Sequence, residues 1–94
     1  MTFTDGVKYM ADKSGAYWLI DEIALTNITH EPVHREEFQV WILKRDSEGS
    51  GATLTCEDGD YNAVYSKYIE FTDFPLAEIK LYCENGVIYL PTER

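Results

Sequence analysis

The sequence predicts an α+β fold, with two N-terminal helices packed on one face of an antiparallel meander of about five strands (ααβββββ). Three observations carry this reading. Apolar residues recur at helical spacing through the first third of the chain, as far as Ile28. From Phe38 onward they alternate with polar ones at the two-residue period of half-buried strands. Turn-forming stretches, Asp46 to Gly51, Asp58-Gly59-Asp60 and Glu84-Asn85-Gly86, punctuate the alternating part.

The elements follow in order. Thr4-Asp5 reads as a helix start, a capping hydroxyl followed by an acid in the first turn. Val7, Met10 and Ala11 form its apolar side, and Ser14-Gly15 interrupts it and caps a second helix, Ala16 to Ile28. There Tyr17, Ile20, Ala24 and Ile28 make one stripe, widened by Leu19 and Ile23. With only Asp21, Glu22, Thr26 and Asn27 polar, this helix is expected to be largely buried. His30 to Glu37, with Pro32 and several charges, reads as a loop. Strands are expected at Phe38 to Arg45, Ala52 to Glu57, Ala63 to Phe71, Ala77 to Cys83 and Val87 to Leu90, where Pro91 stops the last. Residues 1–94 make one domain, with a helical part over 4–28 and a sheet over 38–90.

Helices on one face leave the other open. Thr53, Thr55, Glu57, Glu78, Lys80 and Tyr82 are expected to point there. The strand Val40-Trp41-Ile42-Leu43 is apolar in both directions, so one of its faces is expected to present Trp41 and Leu43 beside that polar set. An aromatic patch ringed by acids and threonines suits binding. The alternative is that Trp41 is covered by the C-terminal segment or by a second chain.

Composition narrows the function classes. The chain is 45% apolar and 27% charged, a globular balance, and its 14% aromatic content suits interfaces. Net charge is −9, and ten of the 17 acids fall after residue 45 against three bases. Such a field disfavours direct binding to nucleic acid or an anionic membrane and attracts a basic protein. It also simply confers solubility. Neither a secretory signal nor an apolar run of membrane-spanning length is visible, and two cysteines make no disulfide framework, so a cytoplasmic setting with reduced thiols is expected.

Candidate chemistry is sparse. His30 and His34 have the spacing of a helical metal pair, but Pro32 lies between them, and solvated loop histidines are the simpler reading. Cys56 and Cys83 fall on inward strand positions as small buried hydrophobes. Asp58, Asp60 and Asn62 match the first, third and fifth positions of a calcium loop, yet the sixth is Ala63 and the twelfth Ile69, so a solvated turn is expected. With no phosphate loop or nucleophile elbow, no catalytic residue, metal or cofactor is assigned, and the chain is expected not to be an enzyme.

The segments Gly15 to Ala24 (GAYWLIDEIA), Thr55 to Gly59 (TCEDG) and Phe71 to Leu76 (FTDFPL) resemble an uncharacterised family of small bacterial and phage proteins, a domain of unknown function. The resemblance runs from Thr4 to Pro91. Many members of that family carry a further segment before the Thr-Asp-Gly-Val stretch. The resemblance implies a bacterial or phage origin and a cytoplasmic setting, and no substrate.

The function expected is a small, acidic, non-enzymatic protein-binding module. In its sharper form it is a phage or mobile-element inhibitor of a basic, nucleic-acid-handling host protein, like a DNA mimic or an anti-CRISPR protein. Asp46, Glu48, Glu57, Asp58 and Asp60, in two acidic turns, would engage Lys and Arg, while Trp41 or Tyr82 anchors apolar contact. The alternatives are a homodimer whose open sheet face is its own interface, and a small-ligand binder or enzyme.

Overall fold

The computed structural model describes residues 1–70 and 72–94 and is α+β. Helices α1 (Asp5–Ser14), α2 (Tyr17–Thr29) and the short α3 (Glu31–His34) cover one face of a sheet built from β1 (Thr2–Phe3), β2 (Phe38–Arg45), β3 (Ala52–Glu57), β4 (Ala63–Ile69), β5 (Glu78–Glu84) and β6 (Val87–Tyr89). A 3-10 turn, Pro91–Glu93, follows.

The expected meander is corrected in two respects. The sheet has six strands in the order β1-β6-β5-β2-β3-β4, and β1 joins β6 in parallel through Thr2 N–H to Gly86 O (2.8 Å) and Thr4 N–H to Ile88 O (3.1 Å). After β4 the chain returns across the sheet and lays β5 on the far side of β2. The return is anchored by Thr72 N–H to Ser50 O, by Arg45 Nη1 to Phe74 O and by the fully buried Phe74 side chain. Burying that ring at the sheet's end gives Phe74 a packing role where the chain turns away from β4 toward β5. The expected third strand ends at Ile69, and Phe71 lies outside the described residues.

Flanked on both sides, β2 is the central strand, which accounts for its apolar character in both directions. Its register sets Trp41 opposite Cys56 and Leu81, and Leu43 opposite Leu54 and Ile79. These residues face the helices, and Trp41 and Leu43 are each 1% exposed, so the expectation that they stand on the open face is wrong by one residue of parity. Val40 and Ile42, half-buried, hold those positions, beside the expected Thr53, Thr55, Glu57, Lys80 and Tyr82.

Three further corrections concern the helices. The loop after α2 contains α3, with Pro32 in its first turn, where its missing N–H is no loss. Helix α2 buries Leu19, Ile20, Ile23, Thr26 and Asn27, and leaves Tyr17, Leu25 and Ile28 exposed, Ile28 at 81%. Asn27 is buried because Gln39, the inward polar residue of β2, pairs with it. Gln39 Nε2 donates to Asn27 Oδ1 (2.7 Å), and Asn27 Nδ2 donates to Gln39 Oε1 (3.1 Å). Ser14 bonds back to Met10 O and does not cap α2, whose start has no side-chain cap. Among the described residues, no helix is long and apolar enough to cross a membrane.

Candidate binding surface at the acidic end of the sheet

Antiparallel pairing decides which acids meet. Phe38 pairs with Glu84 and Val40 with Glu57, so the start of β2, the β3–β4 turn and the β5–β6 turn share one end of the sheet. Glu36 and Glu37 enter β2 at that end, and Glu31 and both of these line the same groove as Asn85 and Gly86 of the β5–β6 turn. Carboxylates from three separate stretches, Glu31, Glu36 and Glu37, then Glu57, Asp58 and Asp60, then Glu84, therefore converge. Among the described residues the ion pairs are Lys8–Asp12 and Lys67–Glu22, and neither involves this end.

The same pairing separates acids that are neighbours in sequence. Asp46 and Glu48 lie in the β2–β3 turn, at the opposite end, roughly 20 Å away along the six residues of β3. The acidic stretch from Asp46 to Asp60 is thus two clusters. Asp46 accepts a hydrogen bond from the Tyr68 hydroxyl (2.8 Å), which raises the tyrosine's pKa, while Glu48 is exposed.

Within the acidic end the roles differ. Asp58 organises its own turn: Oδ1 accepts from Asp60 N–H (2.8 Å) and Asn62 N–H (3.0 Å), and Oδ2 from Asn62 Nδ2 (3.1 Å). These bonds, that from the Asn62 backbone foremost, hold its carboxyl below the usual carboxylate range. Glu57 is half-exposed and Asp60 exposed, so both are accessible to a partner. The cluster's field also reaches the core. Burial, first, pushes the Cys56 thiol up to about 12, with Cys83, Glu36, Glu57 and Asp58 adding to it.

Tyr82 belongs to an aromatic group on the open face beside these acids. Its ring centroid lies 5.1 Å from that of Phe38 and 5.7 Å from that of Tyr89. The Tyr89 hydroxyl donates to Glu84 Oε1 (3.0 Å), and the backbone of Gly59 lies against the Phe38 ring, where an added Cβ would be in van der Waals contact. The guanidinium of Arg94 sits 4.6 Å from the Phe38 centroid and 5.5 Å from that of Tyr82. Phe38, Tyr89, Glu84 and Arg94 escaped the sequence reading. The parity of β2 and β5 puts Phe38 and Tyr82 on one face, but only the crossover that makes those strands neighbours brings the rings together.

A groove of about 910 Å³ lies on the helix side of this end, between α2, α3 and the β5–β6 turn. Its floor is the Asn27–Gln39 pair. Gln39 Oε1 also accepts from Trp41 Nε1 (2.9 Å), Gln39 Nε2 donates to the carbonyls of Val33 and Glu36, and Asn27 Nδ2 donates to Ile23 O. These polar atoms are committed to joining α2, α3 and β2. Trp41 is thus a core residue with a satisfied indole N–H, which corrects its expected place as an exposed anchor.

A model of the family described as "Family of unknown function (DUF6876)" matches residues 1–94. No curated protein matches the chain, and no solved structure does.

Proposed function

We propose, from the premise that this chain belongs to DUF6876, a family of unknown function, that it is a non-enzymatic protein-binding module whose acidic sheet end docks on a basic protein surface. The observation that carries this reading is the convergence of carboxylates from three stretches at one end, without an ion pair there among the described residues. Bringing like charges together costs stability, and a partner's Lys and Arg side chains offset that cost. The groove beside them supports binding over catalysis, because the polar atoms of its floor amides are bonded within the fold. In the sharper form of the proposal the partner is a cytoplasmic, nucleic-acid-handling protein whose phosphate-binding surface is blocked, as a DNA mimic or an anti-CRISPR protein would block it.

The test is affinity capture from host extract at low and high salt with the wild type and two charge-reversed variants. One carries Glu37→Lys, Glu57→Lys and Asp60→Lys; the other carries Asp46→Lys and Glu48→Lys. Asp58 is left intact because it holds its turn. A basic partner retained at low salt, shed at high salt and lost only with the first variant is the expected result. Equal capture by both variants would sink the reading.

A second reading, a homodimer through the open face, is favoured by half-exposed Val40 and Ile42 at its centre. Light scattering after gel filtration decides it, since a monomer at high concentration excludes it.

A further inference from the structure

The basic partner proposed above has two chemically different side chains to offer, and the aromatic group at the acidic end distinguishes them. Phe38 and Tyr82 are braced on both flanks, by the Gly59 backbone on one side and by the edge-on Tyr89 ring on the other. Tyr89 is in turn tied to Glu84. Such a platform is fixed before any ligand arrives, which lowers the ordering cost of binding.

What already lies on it identifies its ligand. The Arg94 guanidinium rests over both rings, and among the described residues no carboxylate lies within ion-pair distance of it. Cation–π contact with the two rings within an acidic field, rather than a direct salt bridge, therefore positions this cation. A guanidinium is planar, delocalised and weakly hydrated, so it stacks on aromatic faces where a compact, strongly hydrated ammonium does so less well. We propose that the Phe38–Tyr82 platform is an arginine-recognition site for the protein partner, and that Arg94 is a resident surrogate which the partner's arginine displaces. This rests on the reading that the acidic end binds a basic protein, and adds which side chain is read and by what.

The surrogate lowers apparent affinity, because an incoming arginine must compete with it. Removing its stacking while keeping its charge isolates the effect, so the informative variant is Arg94→Lys. The probes are a fluorescein-labelled peptide of alternating glycine and arginine and its lysine counterpart of equal length and charge, followed by anisotropy at low salt. The wild type is expected to bind the arginine peptide more tightly. Arg94→Lys tightens that binding on the order of threefold and leaves the lysine peptide unchanged. Tyr82→Leu, at a half-buried surface position, brings the arginine peptide down to the level of the lysine one. Equal binding of both peptides, indifferent to Arg94→Lys and Tyr82→Leu, overturns the arginine site and leaves the acidic-end reading standing. Binding of neither peptide overturns both.

Discussion

At the scale of single residues, the side chains with most at stake are polar ones inside the fold. Gln39 is 3% exposed and joins Asn27, Trp41 and the carbonyls of Val33 and Glu36. Gln39→Leu keeps much of the volume but orphans its buried partners, and is expected to cost about 2–4 kcal/mol, read as a fall in the urea midpoint. A loss below about 0.5 kcal/mol would contradict the network. The thiols report on the same core: Cys56 and Cys83 are 0% and 3% exposed, and burial pushes them up to about 12 and about 11. A thiol reagent at pH 8 should therefore label neither cysteine until the protein unfolds, and rapid labelling of one would show an open site. Glu93 accepts from Leu90 N–H (2.8 Å) and Thr4 Oγ1 (2.7 Å), and these bonds hold its carboxyl below its ordinary glutamate value. Its contribution to stability is complete above that value and is lost as pH falls through the lower folded value. Glu93→Gln should flatten the acid side of the stability profile, and an unchanged slope would contradict this. The inward place of Cys56 and Cys83 was legible from alternation. The side of Trp41 was not, because a central strand is apolar on both faces and alternation then carries no parity.

Whole elements show where periodicity informs and where it fails. The start of α1 at Thr4 and the β5–β6 hairpin were legible because each rests on local chemistry. Thr4 Oγ1 accepts from Val7 N–H (3.3 Å), and Asn85 and Gly86 adopt the positive φ values (53° and 75°) that such two-residue turns require. The buried face of α2 was less legible, because apolar side chains surround most of the helix and Asn27 turns inward to a partner supplied by β2. Ile23→Ala should cost about 2–5 kcal/mol, as a core truncation, whereas Ile28→Ala should change stability by less than about 0.5 kcal/mol. The reverse order in denaturant unfolding would mean that α2 packs through its other side. Strand order was the least legible feature, since local alternation says nothing about which neighbour a strand finds. The buried Phe74 and the crossover it anchors decide that β5 lies beside β2.

For the whole molecule, the fold converts a diffuse net charge of −9 into a directional surface. Composition made the acidity legible but not its geography. Asp46 and Glu48 separate from Glu57 and Asp60, while Glu31, Glu36, Glu37 and Glu84 join the latter through pairings distant in sequence. Tyr82 was correctly placed on the open face, and its aromatic companions became visible only with the sheet order. If this end is where a basic segment docks, affinity falls steeply with ionic strength, and the decisive observation is where on the protein the contact occurs. The most direct measurement is a titration of isotope-labelled protein with the glycine–arginine peptide, mapping backbone amide shifts by NMR at low salt. The account predicts shifts concentrated at Glu36 to Phe38, Glu57 to Asp60, Tyr82 to Glu84 and Arg94, with Asp46 to Gly51 unmoved. Shifts centred on Asp46 to Gly51, or spread evenly over all acidic positions, would contradict it.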